Sequence, residues 1–331
     1  MTVSISFEGK NFNTKDGESV LDCLSRNGIS VPHSCRSGVC QSCLMQATEG
    51  VVPEMAQKGL KTPFTKQNLF LSCQCTPSEN MTVRLPEDSG LDTHAVITGI
   101  SMLNHNVMQL TLQPETEFIC EPGQYLTLIN GDGVARSYSV ANDPTQEGVI
   151  ELHIRLLKDG AMSRFLNHAA KLGDDINIRG PAGNCFYVSE EGDDFPIVLA
   201  GTGTGLAPLY GIAKQALAKG HKGFIHLFHG ALQDADLYLV DQLQALGAQS
   251  PNFRYTPCVL NGADHQFYKL GNIEEIVMAA LPANKTETRL FLCGAPDLVN
   301  ALKRKAFLDG LASKHIFADA FLPSKSAPIA A

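Results

Sequence analysis

Four cysteines constrain this chain more than any other feature: Cys35-Arg-Ser-Gly-Val-Cys40-Gln-Ser-Cys43, followed by Cys73 after 29 intervening residues. Three thiolates from one loop and a fourth from a distant segment match the Cys-x4-Cys-x2-Cys…Cys spacing that holds a [2Fe–2S] cluster. The fold must therefore bring the segment around residue 73 back to the loop. Ser34, Ser37, Gly38 and Ser42 are small, so backbone N–H groups can approach the sulfurs and tune them. A zinc site would use two close Cys pairs, and only Cys40/Cys43 has the x2 spacing, because Cys73/Cys75 is closer. Disulfides are the third reading, and a reducing compartment disfavours them. Six of the ten cysteines fall in the first 75 residues. Of these, Cys23 and Cys75 read as ordinary buried or peripheral thiols.

Composition excludes several classes. With 26 basic and 34 acidic residues the net charge is −8, which argues against nucleic acid as a main ligand, since a phosphate-binding surface needs clustered Lys and Arg. Hydrophobic residues at 44% and charged residues at 18% are globular proportions. No apolar run approaches the roughly 18 residues of a membrane helix. The N-terminal Met1–Glu8 lacks a basic region followed by an apolar core, so no signal peptide is visible. The expectation is a soluble, cytoplasmic chain of two or three domains.

Three segments separate by pattern. The first alternates at Val3, Ile5 and Phe7, turns at Gly9-Lys10, and continues through Phe12 as a hairpin. A short helix follows, with Ser19 as cap and Gly28 as stop, and Met81–Leu85 reads as a closing strand. A turn-rich acidic link begins at Pro86. From Ala95 to about Val188, strand-sized runs at Val107–Leu112, Gln124–Ile129, Ile150–Leu156 and Asp175–Ile178 predict a barrel or sandwich. From Phe195 onward, strands (Pro196–Ala200, Gly223–Phe228, Phe253–Pro257, Arg289–Cys293) alternate with helices (Leu209–Ala218, Leu237–Leu246, Ile273–Leu281, Leu298–Leu311). That alternation predicts a parallel, doubly wound α/β sheet. The tail from Ser324 is expected to fray.

The loop Pro32-His-Ser-Cys-Arg-Ser-Gly-Val-Cys-Gln-Ser-Cys43 resembles the N-terminal plant-type ferredoxin domain of bacterial oxygenase reductases. These include the benzoate dioxygenase, phenol hydroxylase and methane monooxygenase reductases. The resemblance implies three units: a β-grasp ferredoxin over 1–88, an antiparallel Greek-key flavin barrel over 92–190, and a Rossmann-like NAD-binding α/β sheet over 193–331. It implies an Arg-x-Tyr-Ser flavin motif, and Arg136-Ser137-Tyr138-Ser139 is present. An Arg, a ring and hydroxyls on one strand supply a phosphate anchor, a stacking face and donors. In the family the Tyr packs on the isoalloxazine and the Ser lies near its reactive nitrogen. The strand carrying His153, Ile154 and Arg155 leads into Gly160-Ala161-Met162-Ser163, which looks like the family's helix start for the flavin pyrophosphate, where free N–H groups receive an anion. His153 reads equally as a satisfied barrel histidine. Gly180-Pro-Ala-Gly183, followed by Phe186, fits the family's Gly-Pro-x-Gly turn. Near the C-terminus, Asp319 and Phe321 resemble the tail that covers the flavin edge, with Asp where the family usually carries Glu.

Gly201, Thr202, Gly203, Thr204 and Gly205, closed by Pro208, follow a predicted strand, and such glycines let a backbone close on a pyrophosphate at a helix start. The spacing is Gly-x-Gly-x-Gly and resembles the ferredoxin-reductase version of the fingerprint. Cys293, Gly294, Ala295 and Pro296 end a later strand, and in the family this Cys lies beside the nicotinamide. A strand-ending buried Cys is the plainer reading. Between Lys222 and Arg254 there is no basic residue, while Asp234 and Asp236 follow His229-Gly230. Leu232 stands where family members often carry Arg. Carboxylates suit a free ribose hydroxyl and repel a 2′-phosphate, so NADH is expected over NADPH.

Taken together, the sequence predicts a reductase in which NADH delivers hydride to FAD, and single electrons pass through the [2Fe–2S] cluster to an oxygenase component or its ferredoxin. Ser139, Cys293 and Asp319 are the expected hydride-transfer residues. FAD over FMN follows from the resemblance alone. The second reading is an electron donor to a sugar-deoxygenating enzyme, and the third is a non-catalytic zinc module. Residues 1–90 carry 8 basic and 9 acidic residues, net −1, which leaves −7 for the remaining 241, so charge alone marks no docking face.

Overall fold

The computed structural model describes residues 3–86, 92–189, 194–263 and 265–322. Most of the acidic link after Pro86 and the tail from Ser324 lie outside them.

The first unit is a five-stranded sheet of β1 (Ser4–Phe7), β2 (Lys10–Asn13), β3 (Leu44–Glu49), β4 (Leu69–Leu71) and β5 (Met81–Arg84), in the order β2-β1-β5-β3-β4. Alternation sends Ile5 and Phe7 into one core with Leu21, Leu24, Met45, Phe70 and Val83. The helix Val20–Arg26 starts where expected, because the Ser19 hydroxyl accepts from Asp22 N. The strand read at 81–85 lies centrally, parallel to β1 and antiparallel to β3. The cysteine loop bulges between this helix and β3.

The second unit contains β6 (Asp92–Met102), β7 (Val107–Pro114), β8 (Tyr125–Ile129), β9 (Ala135–Ser139), β10 (Ile150–Arg155) and β11 (Asp175–Ala182), in the order β10-β7-β6-β11-β8-β9, every pair antiparallel. A bridge from Val140 to Leu152 joins the two edge strands. Closure decides between the two expectations in favour of a barrel. Its interior holds Ile97, Leu110, Leu126, Leu128, Leu152 and Ile178.

The third unit is the all-parallel sheet of β12 (Ile197–Thr202), β13 (Ile225–Ala231), β14 (Phe253–Val259), β15 (Lys269–Leu270), β16 (Arg289–Gly294) and β17 (Ile316–Ala320), in the order β15-β14-β13-β12-β16-β17. Buried apolar clusters cover both faces, which is why β12 and β16 read as continuous apolar runs. Strand order reverses between β12 and β16, and ligands of open α/β sheets bind at the carboxyl ends flanking such a point. Boundaries moved for local reasons. Pro296 opens its helix two residues before the expected start, as Pro does in a first turn. The helix expected from Leu237 begins at Val240, after Leu239 adopts φ 55°.

Candidate functional site

The four cysteines of the opening motif converge in twos. The Cys40 thiol lies beside Cys35 and holds it below its ordinary value, while Cys40 itself is pushed up. Cys43 and Cys73 form the second pair with the same asymmetry: Cys43 is pushed up and Cys73 down by their mutual hydrogen bond. Among the described residues no group of three or more His, Cys, Asp or Glu converges as a single-ion site. Two pairs of thiols are the donor set a two-iron cluster requires, one pair per iron. Donors already point at the sulfurs. Ser37 N and Cys40 N lie 3.4 and 3.3 Å from Cys35 Sγ. Ser42 Oγ is 3.1 Å from Cys40 Sγ, and Gln74 Nε2 is 3.4 Å from Cys73 Sγ. Gly38, at φ +78°, lets the loop pass Gln74, whose Cγ would be 3.0 Å from an added Cβ. Arg36, at φ 54°, ties the loop to Asp22. The residues thus fit a [2Fe–2S] group. Cys75 is fully buried, and burial pushes its thiol up to about 12; Cys23 is likewise raised by burial.

The loop does not stand free. Tyr125 donates its hydroxyl to Val39 O at 2.9 Å, Arg179 Nη1 to Ser42 O at 3.2 Å, and Arg136 Nη1 to His33 O at 3.2 Å, while Ser42 Oγ meets Thr127 Oγ1 at 3.3 Å. Arg179 is fixed for this by a two-pronged pair with Asp92, at 2.6 and 3.0 Å. Register explains why Tyr125, Thr127 and Arg179 share one face. Thr127 stands opposite both Ser137 and Arg179, and Tyr125 opposite Ser139. Alternation along β9 then separates Ser137 and Ser139 from Arg136 and Tyr138. Tyr138 packs beside the barrel core. Sequence reasoning passed over Tyr125, Thr127 and Arg179. The signal available was a lone Thr in the apolar run Leu126-Thr127-Leu128, a hydroxyl that burial obliges to find a partner.

The same barrel face meets the parallel sheet. Ser139 Oγ donates to Asp319 Oδ2 at 3.4 Å. Asp319 is the register partner of Cys293 on β16, and Phe321 N donates to Gly294 O at 2.8 Å. Burial raises the Asp319 carboxyl to about 6. Cys293 is fully buried, its thiol raised by that burial, and its sulfur lies 3.6 Å from that of Cys185. Ser139, Asp319 and Cys293 therefore meet at the carboxyl ends of β16 and β17, beside the barrel.

Along the turn after β12, a Cβ on Gly201 would stand 2.8 Å from Cys293 O, and one on Gly205 would collide with the same carbonyl. Gly203, at φ +54°, faces open space instead. Thr202 and Thr204 complete this turn, Pro208 is buried in the first turn of the following helix, and Thr202 Oγ1 accepts from Ala295 N at 3.4 Å. Backbone N–H groups beside an open, side-chain-free position suit a pyrophosphate. Asp234 is exposed past the end of β13. Asp236 is engaged elsewhere: its Oδ1 lies 3.4 Å from His105 Nε2, and Asn104 donates to its backbone carbonyl at 2.9 Å.

On β10, both ring nitrogens of His153 have partners, Glu151 Oε1 at 2.7 Å and Tyr238 Oη at 3.3 Å. Ile154 points into the barrel core, and Arg155 is exposed. Gly160 precedes the helix Ala161–His168, Met162 is buried, and the Ser163 hydroxyl closes the turn by accepting from Leu157 N at 3.0 Å.

Comparison with known proteins covers each unit. Residues 4–78 match the 2Fe-2S iron-sulfur cluster binding domain, residues 94–187 the oxidoreductase FAD-binding domain, and residues 199–304 the oxidoreductase NAD-binding domain. The reductase subunit of an aromatic O-demethylase from Amycolatopsis sp. is 30% identical, over 98% of this chain and 100% of that one. The reductase component of the naphthalene 1,2-dioxygenase/salicylate 5-hydroxylase systems of Ralstonia sp. is 29% identical, over 95% and 96%. Among solved structures, an Amycolatopsis cytochrome P450 reductase superposes with a TM-score of 0.69 at 29% identity, over 98% of this chain and 100% of that one.

Proposed function

The chain belongs to the oxygenase reductase family of iron–sulfur flavoproteins, and from that premise we propose that it takes electrons from NADH and delivers them singly to an oxygenase component or its ferredoxin. One observation carries this reading. A single barrel face holds the paired-cysteine loop through Tyr125, Thr127 and Arg179 and meets Asp319 of the nucleotide sheet through Ser139. Bound to these residues, FAD would supply the exchange between a two-electron hydride donor and one-electron chemistry, and a [2Fe–2S] cluster would supply one-electron carriage.

The chain's own residues do the positioning. Cys35 and Cys40 would hold one iron, and Cys43 and Cys73 the other. Ser139 and Asp319 would frame the flavin edge, with Cys293 supporting the nicotinamide and the Gly201–Gly205 turn its pyrophosphate. Gly160 and Ser163 set the turn assigned to the flavin phosphates, and Arg136 is the cation assigned to them. Asp234 is the carboxylate assigned to a free ribose hydroxyl, which favours NADH over NADPH. The three units are assigned to residues 1–88, 92–190 and 193–331. Among the described residues no helix is long and apolar enough to cross a membrane, and we assign the protein to the cytoplasm. Oxygenase partners are favoured over a sugar-deoxygenating one because the relatives named above serve aromatic dioxygenase, hydroxylase, O-demethylase or P450 systems.

The test is an anaerobic NADH titration of the purified protein, followed by visible absorbance. Bleaching of a flavin band and of a broad iron–sulfur shoulder is expected. A colourless protein, or a flavin without a cluster, overturns the reading.

A further inference from the structure

We propose that Thr127 is the crossing point of a hydroxyl relay, Ser137–Thr127–Ser42, that couples the flavin strand to the Cys40 sulfur and sets the rate at which the cluster is reduced. The inference rests on the electron-carrier reading above and assigns a route within it.

The geometry is continuous. Ser137 Oγ lies 3.0 Å from Thr127 Oγ1, Thr127 Oγ1 lies 3.3 Å from Ser42 Oγ, and Ser42 Oγ lies 3.1 Å from Cys40 Sγ. Thr127 is 1% exposed and Ser42 fully buried, so water does not compete for these hydroxyls. Proton count fixes the polarity of the chain. Each hydroxyl has one proton to donate. A metal-bound Cys40 thiolate only accepts, so Ser42 donates to it, Thr127 donates to Ser42, and Ser137 donates to Thr127. The three O–H dipoles then point the same way, with their positive ends toward the sulfur. Aligned hydrogen bonds in a low-dielectric site reinforce one another.

Two consequences follow for this chain. Positive dipole ends at the sulfur stabilise a cluster that has gained an electron, so the relay raises the cluster's midpoint potential. A hydrogen-bonded path also couples two redox centres better than a gap of equal length. Ser137 begins that path two residues from Ser139 on the same strand face, and Ser139 is the residue assigned to the flavin edge. Each crossing moves one electron from the two-electron-reduced flavin onto one ferric ion of the cluster, with no bond made or broken in the relay. Two crossings match one NADH.

Thr127→Val keeps the shape and removes the hydroxyl. The experiment is anaerobic stopped-flow mixing of the holoprotein with NADH, together with a redox titration of the cluster. Flavin bleaching should keep its wild-type rate. Cluster bleaching should slow about 10-fold, the lower end of the cost of disturbing the groups behind a metal ligand, because Thr127 orients the Ser42 hydroxyl that meets Cys40. The cluster's midpoint potential should fall, and Thr127→Ser should restore both. Ser42→Ala should reproduce the slower cluster phase and lower the potential further, which keeps the test open should Thr127→Val fold poorly. Wild-type cluster kinetics and potential in Thr127→Val and Ser42→Ala overturn the relay. So does a Thr127→Ser variant as slow as Thr127→Val, because packing and not the hydroxyl would then matter. A wild-type protein with a flavin phase and no cluster phase overturns the electron-carrier reading itself.

Discussion

Ser139 on the barrel and Asp319 on the last strand of the parallel sheet meet at 3.4 Å, the hydroxyl donating to the carboxylate. The contact joins two units across 180 residues of sequence, and it places a carboxyl raised to about 6 by burial beside the strand that carries the flavin motif. Hydride transfer to a flavin held at the edge assigned to Ser139 and Asp319 would add negative charge there, and an ionised Asp319 would oppose it. The rate of flavin reduction by NADH should therefore fall as pH rises through about 6, and Asp319→Asn should abolish that step. Stability carries the same sign. The folded carboxyl binds its proton more tightly than the unfolded one, so the stabilisation it gives is complete below the unfolded value and is lost as pH rises through about 6. Asp319→Asn should raise the thermal midpoint more at pH 8 than at pH 5. A pH profile unchanged by the substitution would show that Asp319 does not face the reacting flavin.

Cys40 belongs to the thiol pair nearer the barrel, through Ser42, whereas Cys75 lies in the core behind the loop. Cys40→Ala should remove the iron–sulfur absorbance and electron delivery to a one-electron acceptor protein, while NADH still bleaches the flavin. Cys75→Ser should keep the cluster. Acceptor reduction at the wild-type rate in Cys40→Ala sinks the proposed order of carriers.

The glycines after β12 separate a folding role from a binding one. A Cβ on Gly205 would strike the Cys293 carbonyl backbone, which cannot swing aside as a flexible side chain could. Gly205→Ala should cost about 1–3 kcal/mol of stability, the range for overpacking. Gly203 has open space around it and φ +54°, so Gly203→Ala should cost only about 1–2 kcal/mol for a left-handed backbone. Its methyl would nonetheless occupy the space assigned to the pyrophosphate. The expected pattern is a Gly203→Ala protein that melts a few degrees below wild type, as the strained backbone requires, and has a raised KM for NADH. An unchanged KM would remove that turn from the cofactor site.

Local sequence carried a large part of this architecture and stopped where partners are distant. The Cys35–Cys43 spacing, the Ser19 cap, the apolar β12 and β16, and the glycine turn are all written within short windows, because each follows from backbone geometry or a ligand's reach. Strand β6 escaped notice because polar Thr93, His94 and Thr98 interrupt its apolar pattern. The seam of Tyr125, Thr127 and Arg179 against the cysteine loop was invisible for a different reason. Each residue is unremarkable on its own strand, and only the register of β8 with β9 and β11 sets them in one row. Asp236 has contacts that its local sequence does not announce. Sequence pairs it with Asp234 as a ribose ligand, and in the fold its carboxylate also lies near His105 while Asn104 donates to its backbone carbonyl, both from the β6–β7 turn.

That division of labour between the two aspartates sharpens the last prediction. Asp234 remains exposed at the end of β13, beside Leu232, which is 58% exposed where a cation would meet a 2′-phosphate. Replacing Leu232 with Arg supplies the cation, and replacing Asp234 with Ser removes the repulsion, while Asp236 keeps its structural contacts. The Leu232→Arg/Asp234→Ser double variant should lower the KM for NADPH about 10-fold, equivalent to about 1.4 kcal/mol. It should raise the KM for NADH by a smaller factor, because a free ribose loses one carboxylate partner. Steady-state kinetics with both nucleotides read the two effects separately. Asp236→Ser alone should leave the nucleotide preference unchanged and lower the thermal midpoint slightly, since it frees His105 at the barrel edge. If the double variant left the NADPH KM where it was, the ribose would lie elsewhere, and β13 would lose its assigned part in nucleotide choice.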